Sequence, residues 1–490
     1  MKRLFYILIG SILLSFPLSA QESQGSWVKP DDAVVIENLS KWQDSKFGLM
    51  MHWGPYSQRG VVESWSICAE DEPFCFQGEN YVKYKQDYER LPFTFNPVDF
   101  DPAKWARAAK DAGMRYVVFT TKHHDGFCMF DTKTTDYKIT STNCLFHDSP
   151  KKDVTLEIFN AFRNEGMMTG AYFSKPDWNS EYFWWPKFST PDRNANYSIT
   201  KYPERWQKFV DFTHTQIDEL CSNYGKLDIL WFDGGWVNSL KPEELIFSVT
   251  MDGIFRQHGY TQLRVPQNQD LKMDQIVANA RRKQPGIIVV DRFADGPNQN
   301  YMTPEQVIPS TYLPYPWETC LTMGGSWSFN PKENYKSARQ LIHTLVDVVS
   351  KGGNLLLNIG PGPDGKWHQE AYDRLKEIAG WMNLNHDAIY NTRGTEKFAD
   401  RNIRFTQGKS GKVFATYLVA EDEKIMPDVI VISSFLPQEG SAVNLLGYKH
   451  PLSWKRIGNS FSITIPGELR NNPPCRYAWV FSISPKPISS

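Results

Sequence analysis

The chain carries almost no excess charge of either sign: 54 basic residues stand against 55 acidic ones, leaving a net charge of −1. No polybasic run occurs beyond the first residues, which argues against a nucleic-acid partner. Cysteine builds no framework. The seven residues Cys68, Cys75, Cys128, Cys144, Cys221, Cys320 and Cys475 are odd in number and irregularly spaced, unlike a disulfide scaffold or a zinc site. Cys68 and Cys75 are near enough for a local bridge, but sequence alone does not set the geometry that a bridge needs. No internal repeat and no low-complexity linker is visible.

At the start, Met1-Lys2-Arg3 precedes an almost wholly apolar run from Leu4 to Leu18, and Ser19-Ala20-Gln21 supplies small residues for cleavage. This pattern reads as a secretory leader, too short and wrongly flanked for a membrane span. No cysteine stands at the cleavage point, so no lipid anchor is expected there, and the mature chain is expected to be exported, periplasmic or secreted. About 470 residues would follow, enough for a large α/β domain and an accessory module.

What the chain has in quantity is aromatic side chains, 14% of its residues with 17 Trp. It also has a regular alternation. Short apolar runs recur at Phe47 to Trp53, Tyr116 to Thr121, Met167 to Ser174, Ile229 to Asp233, Gly286 to Asp291, Trp317 to Met323 and Gly353 to Ile359. Amphipathic stretches separate them, among them Pro102 to Ala112, Pro203 to Tyr224, Asp274 to Gln284 and Asn334 to Ser350. In the second, Trp206, Phe209, Val210, Thr213, Ile217 and Leu220 share one helical face. Strands alternating with helices imply a parallel sheet, and at this length a (β/α)8-like TIM barrel. Beyond a helix from Gln369 to Leu384 the texture changes. Val413 to Val419, Asp428 to Ser434, Ser460 to Ile465 and Arg476 to Ser482 are strand-like and closely spaced by turns, as in an antiparallel β-sandwich. The expected division is a leader at 1–20, a barrel at 21–390 and a C-terminal β-sandwich domain at 391–490.

The stretch Asp228-Ile229-Leu230-Trp231-Phe232-Asp233-Gly234-Gly235-Trp236 reads as a buried parallel strand that stops at a carboxylate and two glycines. The C-terminal ends of barrel strands are where active sites are built. An Asp-Gly pair alone is more often a turn. Other strand candidates, however, also end in polar or aromatic residues: His52-Trp53, His123-His124-Asp125, Asp291-Arg292, with Trp317-Glu318 opening the sixth. Adjacent histidines point to opposite faces of a strand and so rarely share a metal. At a strand end both can turn into a pocket and bind vicinal hydroxyls, while metal binding and a purely structural role stay open. A carboxylate among indole rings suits a sugar. A glycosidase needs two carboxyl groups. Asp233 supplies one. The second is Glu305, in a Pro-rich loop after Pro304, or Glu318, on a strand where burial demands a partner such as Arg292. Glu305 can also be read as a first-turn helix residue.

Several of these segments resemble the family 29 glycoside hydrolases, the α-L-fucosidases. They are Lys46 to Gly54, Tyr116 to Phe127, Leu230 to Gly234, Val290-Asp291-Arg292, Pro316 to Cys320 and Gly352 to Pro361, in order along the chain. The resemblance implies exo-acting, retaining hydrolysis of terminal α-L-fucosyl residues through a covalent fucosyl-enzyme. The partner would be a fucosylated oligosaccharide or glycoconjugate, with no cofactor and no metal. It implies Asp233 as nucleophile and Glu305 as acid/base, with Glu318 the alternative. His52, Glu63, Trp65, His123, His124, Trp231, Arg292 and Glu318 would hold the sugar, and Trp327 would shield the fucose methyl group. The segments Glu70 to Phe93 and Tyr182 to Trp185 lie outside the shared motifs and are expected to shape the leaving-group side. The competing readings are a glycosidase for another sugar on the same barrel, a sugar-binding protein without activity and, more distantly, a metal-dependent hydrolase.

Overall fold

The computed structural model describes residues 27–485 apart from 70–74, 76–77, 79, 191, 247–266 and 295. The leader expected at 1–20 lies outside the described residues, as does part of the 70–93 segment.

Seven parallel strands form one curled sheet: β1 (Phe47–Met51), β2 (Tyr116–Lys122), β3 (Met168–Ser174), β4 (Ile229–Asp233), β5 (Ile288–Asp291), β6 (Glu318–Thr322) and β7 (Asn354–Asn358), in the order β5-β4-β3-β2-β1-β7-β6. Each matches an apolar run, because a strand covered on both faces has no polar side to alternate with. The two faces are nevertheless distinct. Leu49, Val117, Phe119, Leu230, Phe232, Val289 and Leu357 pack outward in the large core beneath the helices. Met50, Tyr116, Val118, Tyr172, Trp231, Val290, Cys320 and Leu356 fill the inside. Around the sheet lie α1 (Ala33–Ser45), α2 (Tyr81–Glu89), α3 (Pro102–Asp111), α4 (Val154–Asn164), α5 (Pro203–Asn223), α6 (Met273–Lys283), α7 (Ala338–Ser350) and α8 (Gln369–Asn385). Their starts follow local chemistry. Asp101 caps α3 ahead of Pro102, and Ser337 with Gln340 forms a capping box on α7.

An eight-stranded ring was expected. Among the described residues the sheet has seven strands, and β5 does not pair with β6. The segment 300–306 fills the seam. Asn300 N–H donates to Val289 O (2.9 Å), Glu318 N–H to Met302 O (2.8 Å) and Gln306 N–H to Cys320 O (3.0 Å). Its Thr303, Pro304, Glu305 and Gln306 leave it no apolar run, so the chain there pairs only at isolated points.

The C-terminal part holds two antiparallel sheets. The larger contains β8 (Thr392–Arg393), β9 (Ala399–Asp400), β10 (Ile403–Gly408), β11 (Val413–Leu418), β13 (Val443–Leu445), β14 (Pro451–Leu452) and β17 (Ala478–Ile483). The smaller contains β12 (Val429–Ile432), β15 (Trp454–Ile457) and β16 (Ser460–Thr464). Phe405, Ile432, Phe461, Ile463 and Phe481 belong to a core of their own. This unit docks on α7 and α8. Arg404 Nε pairs with Asp347 Oδ1 at 2.5 Å, and Trp381 Nε1 donates to Ala478 O at 2.9 Å.

Candidate active site

A cavity of about 410 Å³ opens at the C-terminal ends of the barrel strands and is lined by His52, Glu63, Trp65, His123, His124, Trp231, Asp233, Arg292, Glu305 and Trp327. Ten of the eleven residues singled out in the sequence therefore meet in one place. Strand periodicity explains why. On β4, Trp231 points inward, Phe232 outward and Asp233 inward again. His52 follows Met50 on β1, and Arg292 follows Val290 on β5, in the same inward phase. On β2 the register shifts between Thr120 and Lys122. The chain then turns so that His123 and His124 both face the cavity, with ring centroids 4.2 Å apart.

Glu318 is the exception. It opens β6 on the inward face, two residues before the cavity-lining Cys320 and therefore one layer deeper in the barrel. Its carboxylate accepts from the Tyr116 hydroxyl (2.5 Å) and from Trp231 Nε1 (3.3 Å). Burial pushes its carboxyl up to about 7 against these donors. It does not line the cavity, so the expectation that it touches substrate is corrected. Nor is Arg292 its ion-pair partner. Arg292 pairs with the two other carboxylates, Nη1 with Asp233 Oδ1 (2.9 Å) and Nη2 with Glu305 Oε2 (2.6 Å).

Glu305 is carried by the seam segment rather than by a free loop, bridged in parallel to Cys320 on β6. Its side chain is 37% exposed, against 16% for Asp233. Burial pushes the Asp233 carboxyl up, but Arg292, His124 and the Tyr172 hydroxyl together outweigh it and hold it at about 2. The two carboxylates outweigh burial at Arg292 as well, so its charge is reinforced. Behind this group, Lys175 Nζ and Asp291 Oδ1 form a buried ion pair at 2.6 Å. The pair ties the end of β3 to the end of β5 across β4.

The histidines are held neutral by burial, His52 and His124 near 4 and His123 well below its usual value. Their partners fix two of the tautomers. Asn358 Nδ2 donates to Trp327 O (2.6 Å), so its Oδ1 must accept from His52 Nδ1 (2.8 Å). Ser174 gives its only proton to Pro176 O (2.7 Å), so its oxygen accepts from His124 Nδ1 (2.7 Å). Both rings are thereby left with an unprotonated Nε2, an acceptor for a hydroxyl proton. Glu63 complements them. Burial, with the nearby charges of Glu305 and Asp233, raises its carboxyl to about 8 against the Ser328 donors. At neutral pH it carries a proton to give.

Aromatic faces complete the walls. Trp327 lies 5.1 Å from His52, and Trp65 lies 5.3 Å from His124 and 5.7 Å from Trp236. Sequence reasoning missed Tyr172, Arg193 and Phe293, which line the cavity together with Trp236 from the 228–236 stretch. Tyr172 had a signal, since Gly170, Tyr172 and Ser174 share the inward phase of β3. The others sit in loops without periodicity. Of the aromatic segment 182–185, Trp184 stacks on Trp178 at 5.1 Å, and Trp178 lies 5.4 Å from Trp65. The segment backs the wall without lining it. His123, His124 and Asp233 have potential ligand atoms within 4.8 Å of one another. The Arg292 guanidinium on Asp233 opposes a second cation at that point.

This arrangement of a deeply ionised carboxylate, a more exposed second one and a ring of neutral acceptors is built for a polyhydroxylated substrate. The family model "Alpha-L-fucosidase" matches residues 15–387, and "Alpha-L-fucosidase C-terminal domain" matches residues 396–484. The chain belongs to the alpha-L-fucosidase family. It is a glycoside hydrolase. An alpha-L-fucosidase of Branchiostoma floridae is 26% identical over 96% of this chain and 98% of its own. The plasma alpha-L-fucosidase of Homo sapiens is 25% identical over 92% of this chain and 91% of its own. Among solved structures, alpha-L-fucosidase isoenzyme 1 from Paenibacillus thiaminolyticus superposes with a TM-score of 0.72 at 27% identity, covering 92% of this chain and 100% of that one. The Thermotoga maritima alpha-fucosidase in complex with fucose gives 0.69 at 27%, covering 94% and 100%. Among the described residues of this fucosidase-family chain, no helix is long and apolar enough to cross a membrane.

Proposed function

We propose that the chain is an exported, exo-acting, retaining alpha-L-fucosidase that releases terminal α-L-fucosyl residues from oligosaccharides or glycoconjugates. The observation that carries this reading is the single Arg292 guanidinium holding Asp233 on one nitrogen and Glu305 on the other. Retaining enzymes keep their two carboxyl groups about 5–5.5 Å apart and inverting ones about 6.5–9.5 Å, the larger gap leaving room for a water. Two carboxylates held on one guanidinium are placed to act on the same bond, and retention is the outcome that the family resemblance implies.

On this reading Asp233 attacks the anomeric carbon while Glu305 protonates the departing glycosidic oxygen. A covalent fucosyl ester on Asp233 results. Glu305, now a base, then takes a proton from water, which attacks the same carbon and frees Asp233. His52 and His124 accept hydroxyl protons of the fucose, and His123 lies beside them. Glu63 donates one, and Trp65, Trp231 and Trp327 cover the ring. The barrel at 21–390 performs the chemistry, and the module at 391–490 buttresses α7 and α8. Glu318, one layer below the cavity, is too deep to reach a leaving oxygen.

The test is release of 4-nitrophenol from its α-L-fucoside. Wild type should turn over and Asp233→Asn should not. Glu305→Ala should accumulate intermediate and be partly rescued by azide. A Glu305→Ala variant that behaves like wild type would remove Glu305 from the mechanism.

A further inference from the structure

The turn after β5 holds an aromatic ring where burial would not place it. Phe293 is 49% exposed, yet its backbone lies in the left-handed region, with φ at 59°. Bulky residues rarely adopt that conformation, and it persists where the surroundings enforce it. Here they do. Arg292 N–H donates to Phe232 O (3.2 Å) and Ala294 N–H to Asp291 O (3.1 Å), closing a tight turn against the end of β4. Gly235 leaves the room for it, since a Cβ there would lie 2.5 Å from Arg292 O and 2.8 Å from the Phe293 Cβ.

The ring does two things in that position. It lies 4.6 Å from the Arg292 guanidinium, which also lies 4.8 Å from the Trp231 ring. It also contributes to the wall of the cavity. The guanidinium it touches is the one that holds Glu305 at 2.6 Å. An acid must stand beside the oxygen it protonates, so Glu305 marks the side of the cavity where the leaving group sits. Phe293 is therefore an exposed aromatic face set on the guanidinium that carries Glu305. A flat apolar ring there matches the C–H face of a pyranose, and a glycoside presents such a ring directly beyond the scissile oxygen.

We infer that Phe293 is a specificity-determining residue, the platform on which the sugar next to the fucose stacks before it departs. The inference rests on the proposed roles of Asp233 and Glu305. It names a pyranose as the leaving group that gains most from the site.

The experiment compares two substrates, a fucosylated disaccharide and α-L-fucosyl fluoride, whose leaving group offers no ring to stack. The quantity read is the ratio of their kcat/KM values in wild type, Phe293→Ala and Phe293→Tyr. In Phe293→Ala the ratio of disaccharide to fluoride should fall roughly tenfold, about the worth of one stacked ring. Phe293→Tyr, which keeps the aromatic face, should restore it. An unaltered ratio, with both substrates losing equally or neither losing, overturns the inference and leaves the ring as a cover for Arg292. Wild type that does not hydrolyse fucosyl fluoride at all overturns the underlying reading of the site, a result separable from the first.

Discussion

Tyr172 donates its hydroxyl proton to Asp233 Oδ2 across 2.6 Å, on the oxygen that Arg292 leaves untouched. A hydrogen bond to a charged acceptor is worth about 1.5–3 kcal/mol. Tyr172→Phe should therefore lower kcat/KM roughly tenfold to a hundredfold. It should also raise the ionisation of Asp233 from its value of about 2, moving the acid limb of the pH profile upward. Rates on 4-nitrophenyl fucoside across the acid range check both, and a limb in its original position would contradict the assignment.

Glu63 sets an alkaline limit. Its carboxyl is raised to about 8 by burial, so above that pH it loses its donor proton and places a further negative charge near Asp233 and Glu305. Activity on fucosyl fluoride, which needs little help from an acid, should fall as pH rises through about 8. In Glu63→Gln the plateau should extend further. The same limb in the variant would trace it to another group.

The buried histidines should make the fold acid-sensitive. His52 and His124 sit near 4 in the folded chain against 6.5 unfolded. The unfolded chain thus binds more protons between those values, and stability falls as pH drops through the window. Each ring contributes on the order of 3 kcal/mol to that loss when it is complete. Calorimetric melting at pH 7 and at pH 4.5 reads the slope, which His52→Gln should reduce. An equal slope in both proteins would show that other groups govern it.

Gly235→Ala should damage catalysis more than folding. The added Cβ meets backbone at Arg292 O, so the turn carrying Arg292 must move away from both carboxylates. Displacements of this kind cost on the order of a hundredfold in rate. The expected result is a low kcat with a melting temperature near that of wild type. Unaltered kinetics would mean that the turn relaxes without moving the guanidinium.

The barrel's order and most of its site were legible because a strand end is a local event. Asp233, His52 and Arg292 each follow an apolar run in the inward phase, and that phase can be counted from sequence. Depth is harder to read. Glu318 is as inward-facing as Cys320, and only the two-residue step along β6 separates a wall of the cavity from the layer beneath it. Tyr172 was hidden because it lies inside an apolar run rather than at its end, so no polar terminus marks it. Phe293 and Arg193 hang on loops, where no period exists and position depends on turns such as the one that Gly235 permits. The seam segment was read as a loop because it has the composition of one.

On the roles proposed for them, that seam divides the catalytic pair between two kinds of support. Asp233 ends a strand that is hydrogen-bonded on both sides, by β3 and β5, and the sheet could not lose it without losing its order. Glu305 rides on a segment joined to its neighbours at isolated bridges. That segment can be lengthened, shortened or exchanged while the strands stay in register. The nucleophile is thus the fixed electrode of the site and the proton donor its interchangeable one, so a graft of residues 296–316 would retune the response to leaving groups while leaving sugar recognition in place.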